Sequence, residues 1–349
     1  MMAIDKEIAI AITGINATDN PGPGTGVARS LREAESLNCR IAGLAYDALE
    51  PGVYMEQLFD KSFLLSYPSA GETAFLERLF YIREAFGLDV VIPTLDTELP
   101  LYIKHRDTLA LSGIHSLLPT EAQFNLRGKD RLAEVAEQTG ISAPAQKTVM
   151  TLDEMHRAIE EIGLPVMIKG AFYKAYKAYS MDEAVGYFSQ VIAEWGYPVI
   201  VQQLVQGEEL NVIGIGDGAG NCPGLVAVRK MTTTPLGKIW TGITIRNPAL
   251  ERATRQFVDG TRWQGAFEIE CIVDGDKIWL IEINPRFPAW VYLSTGVGIN
   301  LPEMLVRLAL KQPLEEVSDY PTGKLFVRHT QESIYDMTAF QNMVTQGET

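Results

Sequence analysis

The segment Gly265–Arg286 concentrates acidic, amide and guanidinium side chains at a spacing that suits catalysis. Its sequence, GAFEIECIVDGDKIWLIEINPR, contains two alternating strands joined by a turn at Asp274-Gly275-Asp276, which predicts a β-hairpin. Alternation places polar side chains on shared faces: Glu268 and Glu270 on the first strand, Glu282 and Asn284 on the second. A hairpin centred near Gly275 brings Glu270 roughly opposite the Leu280–Glu282 region. Oxygen ligands therefore converge, which suits Mg²⁺, a hard ion usually shared between a few carboxylates and substrate phosphates.

An alternative interpretation is that these side chains line a solvated sheet face, the usual place for alternating glutamates. The neighbouring residues favour the metal site. Ile281 and Ile283 alternate cleanly with the polar positions, and Asn284 is a poor strand former followed at once by proline and arginine. Arg286, just past the strand, is placed to contact a phosphoryl group during transfer.

The elements that position these residues begin with strands and helices in alternation. The predicted elements are strand Ile8–Ile15, helix Val27–Leu37, strand Cys39–Tyr46, helix Thr73–Phe86 and strand Asp89–Thr94. Such alternation predicts right-handed βαβ units in an open, mostly parallel sheet. We therefore expect a first domain at residues 1–118.

A glycine-rich loop, Asn20–Gly26, separates the first strand from the first helix. Its Gly22-x-Gly24-x-Gly26 pattern is compatible with dinucleotide binding, but it lacks the full GxGxxG spacing. No acidic residue convincingly ends the second strand to bind a ribose. A tight turn that needs flexible backbone is therefore the favoured interpretation, although the N-terminus of the following helix is still able to hold an anion.

Beyond Asn125 the pattern predicts a second series of elements. These are helix Lys129–Thr139, strand Gln146–Met150, a capped helix Thr151–Ile162, strand Leu164–Gly170, helix Ser180–Glu194, strand Pro198–Leu204 and helix Leu301–Leu310. The part between Leu204 and Asn284 is rich in predicted strands. Residues 331–349 are polar, and we expect them to fray.

Composition and charge narrow the classes of function. The chain has 349 residues and a net charge of −14, which argues against sequence-independent nucleic-acid binding and against docking on anionic membranes. Cys39, Cys222 and Cys271 form neither a disulfide framework nor a CxxC metal pair. The sequence shows no signal-like start and no apolar run near the length of a membrane helix, so we expect a soluble, cytoplasmic protein.

Several motifs, in one order, resemble the ATP-grasp superfamily: KDRLAEVAEQTGISAP, LPVMIKG, VIVQQLVQGEELNV and IEINPRF. The chain is most similar to the branch that contains the carbamoyl-phosphate synthetase large chain and related carboxylate–amine ligases, over roughly residues 119–310. The upstream segment DVVIPTLDTELP resembles the Rossmann-like domain that precedes the grasp in that branch. The resemblance implies an α/β fold (α+β ATP-grasp). Its expected parts are a pre-ATP-grasp domain at 1–118, an ATP-grasp domain at 119–330 with a lid subdomain at about 141–202, and a C-terminal tail at 331–349.

The resemblance also implies roles for residues that bind the nucleotide. Lys129 and Lys169 match the two bases that contact its phosphates. Gln203, Leu204 and Val205 match the hinge whose backbone pairs with adenine.

Further matches concern the ribose, the metal and the reacting phosphate. Glu209, or one position earlier Glu208, matches the acid that binds the ribose hydroxyls. The Mg²⁺ ligands of the family correspond to Glu270, Glu282 and Asn284, with Glu268 as the alternative first carboxylate. Arg286 corresponds to the arginine of the terminal NPR motif, a catalytic position.

One departure from the family concerns the loop after Lys169. Family members usually carry a glycine-rich lid whose backbone N–H groups cover the phosphates, whereas this loop, KGAFYKAYKAY, has a single glycine. One hypothesis is that Lys174 or Lys177 supplies by side chain what the backbone supplies elsewhere. A tyrosine-rich surface loop without that role is an equally open alternative.

Basic residues on predicted strands are candidates for binding a substrate carboxylate. Arg229, Lys230 and Arg246 are expected to face the site in this fold. The alternative is that these are lone cations on strands, which more often have no specific role.

The resemblance implies an ATP-dependent ligase in which MgATP phosphorylates a carboxylate and an amine attacks the acyl phosphate, releasing ADP and phosphate. The implied cofactors are ATP and Mg²⁺, with Mn²⁺ as a replacement. The expected substrates are small-molecule or peptide carboxylates and amines, an amino acid among them. Neither nucleic acid nor a membrane is expected as a partner. The resemblance also implies a homodimer, since members of the family often dimerise. Two alternatives stay open: a nucleotide-binding scaffold with a decayed active site, and a biotin-carboxylase-like carboxylating subunit.

Overall fold

A four-stranded parallel sheet occupies the first part of the computed structural model, which describes residues 4–18, 20–170, 175–234 and 237–349. Its elements are β1 (Ile4–Ile12), α1 (Gly24–Arg32), β2 (Leu37–Ala45), β3 (Lys61–Leu64), α2 (Glu72–Phe86) and β4 (Val90–Ile92), followed by α3 (Leu99–Lys104) and α4 (Arg106–Leu111). The strand order is β3-β2-β1-β4, and every pairing is parallel. Ile10 of β1 packs into one hydrophobic core and Ala11 into another, so β1 is buried on both faces, as predicted.

The first helix is shorter than its sequence pattern predicts. Helix α1 ends at Arg32, and Leu37 already begins β2, so the prediction of a helix to Leu37 is wrong. Turn hydrogen bonds from the Ala34 N–H to the Leu31 carbonyl, and from the Leu37 N–H to the Ala34 carbonyl, reverse the chain. The side chain of Leu37 reaches the same core as that of Leu31, which is why apolar spacing alone did not separate helix from strand.

A second sheet, of four antiparallel strands, forms between residues 146 and 203. The elements of this region are α5 (Glu121–Asn125), α6 (Leu132–Thr139), β5 (Gln146–Val149), α7 (Leu152–Ile162), β6 (Val166–Gly170), β7 (Ala175–Ala178), α8 (Met181–Trp195) and β8 (Val199–Gln203). The strand order is β5-β8-β6-β7. Helices α7 and α8 begin at Thr151 and Ser180 caps, whose hydroxyls accept backbone N–H groups, and both helices pack on the sheet around a core of their own.

The third sheet has six antiparallel strands and carries the hairpin singled out above. Its elements are β9 (Glu208–Asp217), β10 (Gly224–Thr233), β11 (Ile239–Ile245), α9 (Pro248–Thr261), β12 (Gln264–Asp274), β13 (Lys277–Asn284), α10 (Tyr292–Gly296), α11 (Leu301–Ala309), β14 (Leu325–Val327) and α12 (Met337–Gln346). The order is β13-β12-β9-β10-β11-β14. One face packs on α6 and α9, and the opposite face shares a core with α1 and the parallel sheet.

Helix α12 and the residues after it, 337–349, lie against the parallel sheet, so the expectation that the whole segment 331–349 frays is wrong. Helix α12 buries Met343 completely in the core that joins the two sheets. Beyond the helix, the Leu64 N–H donates to the Gly347 carbonyl at 2.8 Å, and the Thr349 N–H donates to the Ser62 carbonyl at 3.0 Å. These bonds satisfy the outer edge of β3, which polar composition alone did not reveal.

Truncating Met343 tests this attachment. Met343→Ala is expected to lower the free energy of unfolding by about 3 kcal/mol, because it leaves a cavity in a closed core. Val344→Ala, at the exposed neighbouring position, is the matched control and is expected to change it by less than about 0.5 kcal/mol. Urea unfolding of both variants measures the difference, and equal values would contradict the packing of α12.

No helix among the described residues is long and apolar enough to cross a membrane.

Candidate active site

The predicted hairpin is present, and its register brings the acidic residues face to face. Glu270 on β12 pairs with Glu282 on β13, and Glu268 pairs with Asn284. We call these four residues the acidic cluster. Pairing places their side chains on one sheet face, directly opposite one another across two neighbouring strands.

A β-bulge at Ile281 makes this arrangement compatible with the core. Glu270 pairs with Glu282 and Cys271 pairs with Leu280, so Ile281 has no partner on β12. Without the extra residue, strict alternation would put Leu280 and Glu282 on the same face. With it, Leu280 and Ile283 both reach the core beneath the sheet, while Glu282 stays with Glu270.

Glu268 is the most deeply held member of the acidic cluster. Its side chain is 5% exposed, and its carboxylate accepts hydrogen bonds from Asn211 Nδ2 at 2.8 Å, Trp290 Nε1 at 2.8 Å and Asn284 Nδ2 at 3.2 Å. Its two oxygens are thus engaged with donors of the protein itself. This geometry favours Glu270 over Glu268 as the first carboxylate for a metal.

Removing the Glu268 carboxylate tests its contribution to the stability of the fold. Glu268→Leu is expected to lower the free energy of unfolding by about 3 kcal/mol, because buried donors on Asn211, Trp290 and Asn284 lose their acceptor. Glu208→Leu, on the exposed end of β9, serves as the control and is expected to cost less than about 1 kcal/mol. Thermal or urea unfolding reports the result, and equal stability of the two variants would contradict the hydrogen-bond network.

Glu270 lies beside a lysine that bridges two acids. Lys230 Nζ lies 2.6 Å from Glu270 Oε2 and 2.5 Å from Glu209 Oε1. Burial raises the pKa of Glu270 above its usual range, and repulsion from Glu268 and Glu282 raises it further, against the attraction of Lys230. A divalent cation at this face would relieve that repulsion, so the donor chemistry fits Mg²⁺.

The number of protein ligands also fits a shared metal ion. Within the described residues, no group of three or more histidine, cysteine or acidic side chains is arranged to enclose a metal. Mg²⁺ commonly takes one or two carboxylates from a protein and its other ligands from phosphates and water. The facing pair Glu270 and Glu282, with the Asn284 amide beside them, is of that kind.

The second sheet brings Lys169 towards the acidic cluster, and Lys129 lies near Lys169. Lys169, near the end of β6, is largely buried, and burial together with the charge of Lys129 lowers its pKa to about 8. Glu282 and Glu270 act in the opposite direction, which places Lys169 within electrostatic reach of the acidic cluster. Lys129 lies in a 3₁₀ turn, with its carbonyl accepting a hydrogen bond from Gln146 Nε2.

The lid lysines of the sequence prediction divide into two cases. Lys177 is on β7, where it pairs with Met167 on β6. Because Met167 and Lys169 are two residues apart on one strand, exposed Lys177 shares the sheet face of Lys169. Lys174 lies outside the described residues.

Gln203, Leu204 and Val205 connect the second sheet to the third. The Gln203 N–H donates to the Ala145 carbonyl at 2.7 Å, and the Leu204 N–H reaches the Pro165 carbonyl at 3.4 Å. Strand β8 ends at Gln203, and β9 begins at Glu208 after a short turn. The predicted hinge therefore lies between the sheet of Lys169 and the sheet of the acidic cluster.

Arg286 contacts Asp96, a residue beyond the end of β4 that the sequence pattern did not indicate. Its Nε and Nη2 atoms lie 3.0 and 2.9 Å from Asp96 Oδ2. Asp96 belongs to the loop after β4, which buried Glu98 fixes by accepting the backbone N–H groups of Thr94 and Leu95. A polar residue just beyond the carboxyl end of a buried parallel strand was the available signal.

The two arginines predicted to bind a substrate carboxylate do not both face the acidic cluster. Alternation along β10 puts Arg229 on the face of Ala227, which packs beneath the sheet, and Arg229 pairs with Glu208 there. The prediction that Arg229 faces the site is therefore wrong, and its neighbour Lys230 is the residue that does. A strand presents only one of two consecutive side chains to a given face.

Arg246 is occupied elsewhere in the fold. Its Nη2 donates to Asp319 Oδ1 at 2.9 Å and to the Tyr320 carbonyl at 3.2 Å, and its guanidinium lies 4.9 Å from the Tyr320 ring centroid. These contacts hold the segment before β14 and include no member of the acidic cluster.

The glycine-rich loop after β1 folds closely on itself. The Gly22 N–H donates to the Asn16 carbonyl and the Gly24 N–H to the Gly14 carbonyl, each at 2.9 Å. A Cβ atom on Gly22 would lie 2.2 Å from the Gly14 carbonyl oxygen, which no side chain tolerates. These contacts support the tight-turn interpretation of the loop over dinucleotide binding.

The sequence of this chain is similar to that of a known enzyme over part of its length. No family model matches the chain. A carbamoyl phosphate synthase large chain from Agathobacter rectalis is 25% identical over 236 residues, 63% of this chain. The chain spans only about a fifth of that relative's length, since the match covers 22% of it.

Solved structures share the fold over nearly the whole chain. A biotin carboxylase from Campylobacter jejuni, solved as a β,γ-ATP complex, superposes with a TM-score of 0.68 at 16% identity, covering 91% of this chain and 74% of the other. An L-amino acid ligase from Bacillus licheniformis superposes with a TM-score of 0.64 at 18% identity, covering 88% and 75%. At such low identity the likeness concerns the fold.

Proposed function

We propose that the chain, which shares its fold with ATP-grasp enzymes, is an ATP-dependent ligase that activates a carboxylate as an acyl phosphate and joins it to an amine. The observation that supports the proposal most strongly is the facing pair Glu270 and Glu282, with Asn284 beside them and Lys169 within electrostatic reach. Carboxylates and a largely buried lysine together suit the triphosphate of a metal-bound nucleotide.

In this proposal Glu270, Glu282 and Asn284 hold Mg²⁺, with Mn²⁺ as a replacement. The metal would neutralise phosphate charge while the protein positions the reactants. Lys169 and Lys129 contact the phosphates, and Arg286 stabilises the phosphoryl group in transfer. Lys174 and Lys177 remain candidates for covering the phosphates from the lid, and the second sheet forms that lid at about residues 141–202.

The adenosine part of the nucleotide is assigned to the hinge. Gln203, Leu204 and Val205 present backbone to adenine, and Glu209 binds the ribose hydroxyls. Glu209 now pairs with Lys230, so nucleotide binding would redistribute the contacts of this lysine.

The wider assignments are part of the same proposal. Residues 1–118 form the pre-ATP-grasp domain, and residues 119–330 form the ATP-grasp domain. Residues 331–349 are the C-terminal tail, which is attached to the parallel sheet. The substrates are a small-molecule or peptide carboxylate and an amine, and the protein works in the cytoplasm as a homodimer. Arg246 is proposed to hold the segment before β14 rather than a substrate.

ADP release in a coupled assay tests the activity. The purified chain with MgATP is screened against amino acids and dipeptides, singly and in pairs, with Glu282→Gln as the inactive control. Release that requires both a carboxylate and an amine, and that is lost in the variant, is expected. Release that instead requires bicarbonate and free biotin would favour a carboxylating subunit. Nucleotide binding without turnover for any substrate would favour a scaffold.

A further inference from the structure

Three basic residues meet where the third sheet faces the parallel sheet. Lys238 lies just before β11, Arg328 just after β14, and Arg286 just after β13. We call these residues the cationic junction. Strands β11 and β14 are neighbours, and the Arg328 N–H donates to the Trp240 carbonyl at 3.1 Å, so Lys238 and Arg328 lie at one end of adjacent strands.

The parallel sheet presents its switch point to this junction. The chain runs outwards from β1 to β2 and β3 and then returns to β4 on the other side of β1, so the crevice lies between the loops after β1 and β4. Ligands of open α/β sheets bind outside the carboxyl ends of the strands at this place. The loop after β1 contributes Pro21, whose carbonyl accepts from Lys238 Nζ at 2.9 Å, and the loop after β4 contributes Asp96.

Lys238 is held among positive charges. Its described partners are the carbonyl oxygens of Pro21 and Asn20, the latter at 3.5 Å from Nζ. Burial and the charges of Arg286 and Arg328 together lower the pKa of Lys238 to about 8, against the attraction of Asp96. An anion at the junction would favour its charged form.

Arg328 has hydrogen-bonding capacity that the described residues leave unused. Its Nη2 donates to the Ala289 carbonyl at 2.7 Å, and its guanidinium lies 5.8 Å from the Trp240 ring centroid. Its Nε is buried, with no hydrogen-bond partner among the described residues. A buried donor without an acceptor is costly, and an acceptor supplied by a ligand would remove that cost.

The charges at the junction are unbalanced. Asp96 is the carboxylate in contact, and it already pairs with Arg286. Lys238 and Arg328 form no ion pair within the part of the chain that the structure describes. Two partly buried cations without a counter-charge are unfavourable, and they are most simply explained by a ligand that supplies the charge.

We propose that Lys238 and Arg328 bind a second acidic group, a carboxylate or a phosphate, of the carboxylate substrate, while Arg286 faces its reacting end. The substrate class is therefore a dianionic acid. This inference rests on the proposed ligase function, because only that function places the reacting carboxylate of the substrate beside Arg286 and the acidic cluster.

Calorimetric titration with simple acids tests the subsite. The probes are succinate, phosphonoacetate and, as the monoanion of similar size, butyrate. Wild type is expected to bind at least one dianion about tenfold more tightly than butyrate, since each charge-assisted contact strengthens binding by about that factor. Lys238→Gln and Arg328→Gln are expected to remove this preference.

Matched variants separate charge from structure. Lys238→Gln removes the charge and keeps a hydrogen-bond donor on a side chain one atom shorter, so it changes the local packing little. Arg328→Lys is expected to restore part of the preference lost in Arg328→Gln. Lys6→Gln, on β1 at the opposite end of the parallel sheet, removes one charge far from the junction and is expected to change nothing.

The outcomes show whether the acidic group is a carboxylate or a phosphate. They also separate failure of the subsite from failure of the proposed ligase function. Stronger binding of succinate identifies a carboxylate, and stronger binding of phosphonoacetate identifies a phosphate. No preference of wild type for either dianion over butyrate, or a preference unchanged in Lys238→Gln and Arg328→Gln, would overturn the subsite. MgADP titrated into the same proteins tests the nucleotide site separately. If dianion binding depends on Lys238 but the protein does not bind MgADP, the subsite is retained and the ligase function is refuted.

Discussion

Replacing Lys169 with methionine is expected to weaken MgADP binding by about 30-fold or more, because a largely buried charge facing the phosphates is lost. Methionine preserves the length of the side chain, so packing on β6 is disturbed little. Lys147→Met, on β5 of the same sheet, is the control, since Lys147 pairs with exposed Glu161. Equal MgADP affinities of the two variants would contradict a phosphate contact by Lys169.

The lowered pKa of Lys169 gives this prediction a pH dependence. With a pKa of about 8 in the free protein, Lys169 is charged below that pH and becomes neutral above it. Nucleotide affinity is therefore expected to fall as the pH rises through about 8. Lys169→Arg keeps its charge and should remove the decline, whereas Lys238→Gln should not, although the pKa of Lys238 is also about 8.

Replacing Glu282 with glutamine is expected to lower the apparent Mg²⁺ affinity in nucleotide binding by about 100-fold, the upper range for loss of groups that support a metal. Glutamine keeps the shape and removes the charge that faces Glu270. ADP titrations at increasing Mg²⁺ concentration give the apparent metal affinity of each protein.

A matched control makes this result specific to the acidic cluster. Glu208→Gln removes a charge of the same type on the other face of the sheet, where Glu208 pairs with Arg229. It is expected to leave the Mg²⁺ dependence unchanged. If Glu208→Gln and Glu282→Gln had the same effect, general electrostatics would explain both, and the metal assignment would be wrong.

The hairpin was predictable because it depends on local rules. A turn at Gly275 between alternating strands fixes the pairing to within a residue, and the structure pairs Glu270 with Glu282. The bulge at Ile281 was not predictable, because the apolar run from Ile278 to Ile281 hides the point at which the alternation changes phase. Arg229 and Lys230 were not separated either, because which of two consecutive strand residues faces the site depends on how the strand packs, as the buried side chain of Val228 shows.

Contacts distant in sequence were the other limit of prediction. Asp96 and Arg286 are 190 positions apart, and nothing local to either residue indicates that they meet. The attachment of Met343 to the parallel sheet depends equally on tertiary packing, which overrides the polar composition of residues 331–349. Burial of Lys238 and Arg328 beside Arg286 likewise follows from how the two sheets pack.

Titration of ATP into the wild-type protein, with and without Mg²⁺, tests the central claim most directly. Saturable binding that becomes tighter when Mg²⁺ is present is the predicted result, because the facing carboxylates Glu270 and Glu282 repel an uncomplexed triphosphate. Absence of ATP binding in both conditions would contradict a nucleotide site at the acidic cluster and, with it, the proposed ligase.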